Sequence, residues 1–203
     1  MPAKVENSAP GVKAELRRWL IGQLGFTRVL DCFAGRGEMW SRVYQQSEFY
    51  LGLDMKVSWA DTRRMIACDS RRYLRHRDTD LARFNLFDLD AFGSPYEHLA
   101  IICSRIKPAA RVGFCLTDGL GFNAAINSND GGLLAHVGLR RHSRTRTQHE
   151  LRAEISETSI RKSLAAAGLR IVEARQAEKQ KSSVMIMRYI ALLCEPQTDA
   201  SQP

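Results

Sequence analysis

Residues 29–38 read Val-Leu-Asp-Cys-Phe-Ala-Gly-Arg-Gly-Glu and decide the fold, because an apolar run ends in an acid and a glycine-rich turn follows. Glycine lets the backbone turn sharply and approach a ligand closely. A helix that begins at Glu38 would add free backbone N–H groups in its first turn. The stretch therefore predicts a strand, a turn and a helix that together form a nucleotide-sized crevice. The residues expected to line it are Asp31, Ala34, Gly35 and Gly37.

The spacing of the glycines indicates which nucleotide fits. A dinucleotide-binding turn has a third glycine, and Trp40 stands at that position here. The turn therefore favours adenosine without a pyrophosphate, which suits S-adenosylmethionine (SAM) better than NAD.

Apolar runs and turn residues predict the order of the secondary structure. Helices are expected over 12–24, 38–44, 94–106 and 147–168, with a short basic helix after Ser70. Strands are expected over 28–32, 49–54, 64–68, 84–89, 111–116, 169–174 and 184–194, with a polar hairpin connection over 178–183. Alternation of strands and helices predicts a mainly parallel sheet covered on both faces. The last strand should run antiparallel, because no helix precedes it. This Rossmann-like α/β order resembles the seven-stranded plan of class I methyltransferases.

Two serine or threonine segments have the pattern of a capping box at a helix start. Ser94, Pro95 and Glu97 would cap the helix over 94–106, and Thr147 with Glu150 would cap the helix over 147–168.

Acids at the ends of the second and third strands are candidates for cofactor binding. Asp54 would accept hydrogen bonds from the two ribose hydroxyls, as acids do in other nucleotide crevices, unless it is a plain strand-end acid. Asp69, followed by Ser70, would accept from the adenine amine or cap the next helix. Both interpretations of Asp69 stay open from the sequence.

Residues 87–95 supply a second chemical site after the fourth strand. Asp88 and Asp90 are one residue apart, so they face the same side of a strand. An aromatic residue and a glycine follow in the loop. Methyl transfer to an exocyclic amine needs an acceptor that holds the amine protons and an aromatic side chain against the unstacked base.

The segment Asp-Leu-Asp-Ala-Phe-Gly-Ser-Pro over 88–95 resembles the motif of the tRNA guanine-N2 dimethyltransferase family, although Ala91 replaces a proline. The segments Leu-Thr-Asp-Gly over 116–119 and His-Glu-Leu over 149–151 are similar to further segments of that family. The resemblance implies that Asp90 is the base or acceptor for the guanine amine, that Phe92 packs against the base, and that Asp118 lies beside the pocket. It implies a SAM-dependent N-methyltransferase in tRNA modification.

Composition and charge agree with a nucleic-acid partner. The chain has 203 residues, 44% of them hydrophobic, and a net charge of +8, which favours one globular domain over 1–203 and a polyanionic ligand, with RNA ahead of DNA. Residues 1–10 and 196–203 are expected to be flexible. Phosphate contacts are predicted for Arg140, Arg141, Arg144 and Arg146. A second basic run is formed by Arg71, Arg72, Arg75 and Arg77, and solvated surface is the alternative for both.

Five cysteines without a paired spacing predict neither a disulfide framework nor a metal site, and they favour a cytoplasmic location. Two other functions stay open from the sequence. One is a DNA-base or small-molecule methyltransferase, and the other is a non-catalytic nucleic-acid-binding subunit.

Overall fold

The computed structural model describes residues 9–56, 62–91, 93–119, 148–180 and 186–197. Several predictions fall outside these ranges. They concern residues 1–8 and 198–203 of the termini that were expected to be flexible, Phe92, the cap at Thr147, and the four arginines between 140 and 146.

A seven-stranded sheet forms the centre of the molecule, in the order β3-β2-β1-β4-β5-β7-β6. Its strands are β1 (Arg28–Asp31), β2 (Phe49–Asp54), β3 (Met65–Ala67), β4 (Leu86–Leu89), β5 (Val112–Asp118), β6 (Leu169–Gln180) and β7 (Ile186–Pro196). The first five strands pair in parallel, and β7 pairs antiparallel with both β5 and β6. The predicted Rossmann-like α/β class and the antiparallel last strand are therefore confirmed.

Helices cover both faces of the sheet. They are α1 (Pro10–Leu24), α2 (Glu38–Arg42), α3 (Ser70–Arg75), α4 (Tyr96–Arg105) and α5 (Gln148–Ala166), and a 3-10 turn (Tyr44–Gln46) follows α2. Leu20 of α1 and Met39 of α2 share one apolar cluster with Tyr50. Leu51 shares the other cluster with Leu99 of α4. Adjacent residues of a strand point to opposite faces, so β2 contributes to both cores. None of the described helices is long and apolar enough to cross a bilayer.

The bounds of the last two strands differ from the prediction, because β6 continues to Gln180 and not to residue 174, and β7 ends at Pro196 and not at residue 194. Residues 178–180 belong to β6 and not to the connection, because they continue the ladder with β7 as far as the Gln180–Ile186 pair. Their polar character misled the prediction, since both faces of β6 near this end are largely exposed to solvent. The hairpin consequently extends beyond Asp118, where β5 ends opposite Arg188.

The predicted capping box at Ser94 is wrong. Pro95 is the N-cap of α4 and makes no side-chain cap bond, while Ser94 Oγ only accepts from the Tyr96 amide at 3.4 Å. Glu97 does not reach back to the helix start, because its carboxylate pairs with Arg71 and Arg75 of α3. Helix α4 therefore begins at Tyr96, one residue later than the sequence pattern predicts.

Candidate cofactor and methyl-transfer site

The glycine turn after β1 has the backbone geometry that requires glycine. Gly35 and Gly37 have φ values of 46° and 82°, in the left-handed region that other residues rarely adopt. The Ala34 amide donates to Leu53 O at 3.1 Å, and the Gly35 amide donates to Asp54 Oδ2 at 3.0 Å. The turn is thus fixed to the carboxyl end of β2, and the predicted residues Ala34, Gly35, Gly37 and Asp54 lie together.

Arg63 is a member of this site that the sequence analysis missed. Its guanidinium donates to Ala34 O and Gly35 O, both at 3.2 Å, and the residue is only 7% exposed. A Cβ added at Gly37 would lie 2.4 Å from Arg63 Nη1, so a side chain at that position would collide with the guanidinium. Gly37 therefore satisfies two constraints, its backbone conformation and the space that Arg63 occupies.

A cavity of about 160 Å³ lies beside this turn and joins it to the second acidic segment. Asp31, Asp88 and Asp90 line the cavity together with Lys13 of α1. Asp88 pairs with Asp31 across the two neighbouring strands, so the chain segments 29–38 and 87–95 meet at one edge of the sheet. The predicted cofactor turn and the predicted reaction site are therefore neighbours.

Asp88 is an internal anchor of the fold. It accepts two hydrogen bonds from Arg17, each at 2.6 Å, and a third from Tyr44 Oη at 2.7 Å. All three residues are at most 2% exposed. Burial lowers the pKa of Arg17, but the charge and hydrogen bonds of Asp88 together with the influence of Tyr44 and Cys115 outweigh it, so the pKa is raised and the guanidinium stays charged. This paired charge fixes α1 against β4.

Asp90 lies on the same side and is partly open to the cavity. Lys13 Nζ is 2.7 Å from Oδ1 and 2.6 Å from Oδ2, and the Asp90 side chain is 21% exposed. Burial would raise the pKa of Asp90, but Lys13 and Arg17 outweigh that effect and lower it. Asp90 is therefore an ionised acceptor at neutral pH. Lys13 and Arg17 were also missed by the sequence analysis, because their spacing of four residues on α1 does not show that they face buried acids.

The pKa of Asp31 is shifted in the opposite direction to that of Asp90. It is 3% exposed, and it accepts from the Phe33 amide at 3.1 Å and from Tyr50 Oη at 3.0 Å. Burial, followed by the repulsion of Asp88, raises the pKa of Asp31 to about 8. In the free protein a proton is therefore held at Asp31 at neutral pH.

This shift predicts a pH-dependent stability. The pKa of Asp31 in the folded protein is above its unfolded value, so the folded state binds more protons between about pH 4 and pH 8. The free energy of unfolding should then fall as the pH rises through that window. Asp31→Asn should make this loss of stability with pH smaller. Melting temperatures of the wild type and the variant from pH 5 to pH 9 would measure the difference. Parallel curves for the two proteins would contradict the assignment.

Asp69 and Ser70 follow β3 and hold the start of α3. Asp69 Oδ1 accepts from the amides of Arg71 at 2.8 Å and Arg72 at 3.3 Å, so Asp69 is the helix N-cap. Ser70 Oγ lies 2.9 Å from Nε2 of the buried His98, whose pKa burial lowers to about 4. Both residues therefore have a structural role. Binding of adenine by Asp69 or Ser70 stays a prediction.

Asp118 is fully buried at the end of β5. Its Oδ2 is 3.0 Å from Tyr96 Oη, which in turn lies 2.5 Å from Ser156 Oγ of α5. The Gly119 amide donates to Gly93 O at 2.7 Å, so the segments 88–95 and 116–119 are joined directly. The structure thus gives Asp118 partners within the fold, and its catalytic role stays a prediction.

The predicted basic run over 71–77 lies at the surface but is largely paired. Arg71 contacts Asp69 and Glu97, Arg75 contacts Glu97 at 2.6 Å, and Arg77 contacts Asp78. These carboxylates reduce its attraction for phosphates.

Comparison with known proteins shows the fold. No protein-family model and no curated protein sequence matches the chain. Among solved structures, Trm1 from Pyrococcus horikoshii with S-adenosyl-L-methionine has a TM-score of 0.59 at 17% identity, over 95% of this chain. A candidate O-methyltransferase from Klebsiella pneumoniae has a TM-score of 0.57 at 12% identity, over 94% of this chain and 83% of its own. TYW2 from M. jannaschii with AdoMet has a TM-score of 0.55 at 12% identity, over 95% of this chain and 79% of its own.

The chain has the class I methyltransferase fold that these proteins share. It spans only 58% of the length of the Trm1 chain.

Proposed function

We propose that the protein is a SAM-dependent methyltransferase that acts on an exocyclic amine of a nucleic-acid base, with guanine N2 in RNA as the first choice. The observation that carries the proposal is the glycine turn at the carboxyl edge of the parallel sheet, where the Gly35 amide donates to Asp54 and a cavity joins the turn to Asp90. Ligands of open α/β sheets bind at that edge.

The residues around the glycine turn fit the cofactor. A carboxylate has about four acceptor positions, and the Asp54 oxygens use two of them, for the Gly35 amide at 3.0 Å and the Lys56 amide at 2.8 Å. The remaining positions suit two ribose hydroxyls. Gly37 leaves no side chain in the crevice. Asp69 and Ser70, which follow the third strand, are proposed to contact the adenine. When bound, SAM supplies an electrophilic methyl group.

Asp90 is proposed to hold the amine of the target base. Its ionised carboxylate accepts a hydrogen bond from one N–H of the amine, which turns the nitrogen lone pair toward the methyl donor. After transfer the nitrogen is cationic and strongly acidic, so even a carboxylate with a lowered pKa is able to take its proton. Lys13 keeps the carboxylate in place and ionised, and Phe92 is proposed to pack against the base.

RNA and the guanine amine are favoured by the motif over 88–95, which resembles the tRNA guanine-N2 dimethyltransferase family, and by the net charge of +8. Phosphate contacts of Arg140, Arg141, Arg144 and Arg146 stay part of this proposal.

Parallel transfer assays test the proposal. Tritium from labelled SAM is followed into a tRNA transcript, duplex DNA and free nucleosides, and the product base is identified by mass spectrometry. We expect N2-methylguanine in the tRNA arm. Label in DNA or nucleosides only would favour the alternative methyltransferases. Cofactor binding without transfer to any acceptor would favour a non-catalytic subunit.

Asp54→Ala is expected to weaken SAM binding by about 1–3 kcal/mol, the range for hydrogen bonds to a charged group. Isothermal titration of the cofactor measures the loss. Asp80→Ala is the matched control, because Asp80 is an exposed aspartate that also accepts from the amide two residues on, at Ala82. Equal dissociation constants for both variants would show that Asp54 does not bind the ribose.

A further inference from the structure

A group of arginines surrounds the ring of Phe49, away from the glycine turn. The guanidinium carbons of Arg83, Arg64 and Arg28 lie 4.2, 4.9 and 5.9 Å from the centre of that ring. We call these three residues the Phe49 arginine cluster. Arg28 begins β1, Arg64 directly precedes β3, and Arg83 lies shortly before β4. Three chain segments thus bring their charges to one aromatic side chain.

The cluster is held by the frame of the fold. Asn85 Oδ1 accepts from the Arg28 amide at 2.7 Å, and Asn85 Nδ2 donates to Phe26 O at 2.9 Å. The ring of Phe49 lies 5.9 Å from that of Phe84, measured between centroids. The backbone at Arg28 and the ring that the arginines share are therefore fixed before any ligand arrives.

The charge of the cluster is not balanced by the described part of the chain. None of its three arginines forms an ion pair with a described carboxylate, whereas Arg75 pairs with Glu97 and Arg170 with Glu195. Nε of Arg28 and Nε of Arg83 are buried without a hydrogen-bond partner in the described structure. A ring face attracts a cation but does not neutralise it. Like charges gathered around one ring repel one another, and a bound anion would relieve that repulsion.

The position of the cluster indicates a large ligand. Arg28 and Phe49 start the strands whose other ends carry Asp31 and Asp54. Because β2 has 6 residues, the two ends lie about 17 Å apart at ~3.3 Å per residue. A free nucleoside is too small to contact both ends. A folded RNA is large enough, and its phosphates suit the planar forks of arginine.

We infer that the Phe49 arginine cluster binds backbone phosphates of the RNA whose target base lies at the glycine turn. The inference rests on the proposed function and adds a positioning surface to it. Phosphate contacts set the register and orientation of a nucleic acid without reading its sequence. The cluster would therefore help to select a structured RNA over a single nucleotide.

The salt dependence of RNA binding tests the inference. Affinity for a fluorescein-labelled tRNA transcript is measured by anisotropy at several salt concentrations, for the wild type and for R28Q/R64Q/R83Q. The slope of log K against log salt should become shallower by about 2, since each phosphate contact contributes ~0.7–0.9. Affinity at low salt should fall at least tenfold, and the cofactor dissociation constant should stay the same.

Two matched variants control the experiment. R111Q/R170Q/R175Q removes the same charge from arginines that already contact Glu195 or Glu173, so its slope should stay close to that of the wild type. R28K/R64K/R83K keeps the charge and should keep most of the slope.

Equal slopes for the two glutamine variants would overturn the inference, and so would a lysine variant as weak as its glutamine counterpart. A larger loss for duplex DNA than for tRNA would overturn the assignment to RNA. The proposed function is judged separately, by methyl transfer with the wild type. If the wild type methylates RNA and the cluster variant keeps its slope, only this inference fails.

Discussion

We expect Asp90→Asn to lower the rate of methyl transfer about 10²–10⁴-fold, the usual effect of losing a general base or its equivalent acceptor, and to leave the cofactor dissociation constant nearly unchanged. The reason is the place of Asp90, which is ionised and open to the cavity beside the glycine turn. An amide cannot take a proton from the methylated amine. Single-turnover transfer to the true substrate measures the chemical step, and isothermal titration measures the binding of SAM.

Asp80→Asn serves as the control for this experiment, because it is an exposed aspartate that only binds a backbone amide. A melting curve of Asp90→Asn checks that the loss of the Lys13 pair has not unfolded the protein. Wild-type turnover by the asparagine variant would show that the resemblance over 88–95 points to the wrong residue.

Asp88→Ala should destabilise the protein by about 3–5 kcal/mol, which is the cost of leaving one charge of a buried pair without its partner. The unpaired charge would be that of Arg17, which is 2% exposed. For a domain of this size the melting temperature should fall by roughly 6–20 °C, at ~2–4 °C per kcal/mol. Thermal unfolding of the free protein measures it.

The double variant Arg17→Met/Asp88→Leu distinguishes a buried-charge effect from a packing defect. Replacement of both charged partners by apolar residues of similar volume is often tolerated, so the double variant should recover much of the loss. A double variant that is less stable than Asp88→Ala would show that the ion pair itself stabilises the fold. The loss in Asp88→Ala would then not come from the unpaired charge of Arg17. Asp88 is accordingly unsuitable as a neutral control for Asp90.

Much of the fold was predictable because its signals are local. Each of the first two strands ends in an acid, and the glycines after β1 are placed where the backbone needs a positive φ. The pattern of strands without a helix before β7 predicted its antiparallel direction correctly. Strand ends were less predictable, since the polar residues 178–180 look like a turn but are held in the ladder by β7.

The candidate site was predictable only in part, because some of its contacts join distant segments. Asp31 and Asp54 follow from their positions at strand ends, and Gly35 follows from the glycine turn after β1. Arg63 carries no local pattern, and only the fold brings its guanidinium against Gly37. The misplaced cap at Ser94 has a similar cause, since the arginines of α3 attract Glu97 away from the helix start.

Titration of the wild-type protein with SAM, and with its demethylated product, tests the central claim most directly. The account predicts saturable binding of both, one molecule per chain, and no binding of NADH, because the turn lacks the third glycine of a dinucleotide site. Substitution of Gly37 by valine should abolish the signal, since valine is strained at the φ of 82° that this position requires and its side chain would displace the Arg63 guanidinium from the turn. No binding of SAM by the wild type, or binding of NADH in its place, would contradict the account.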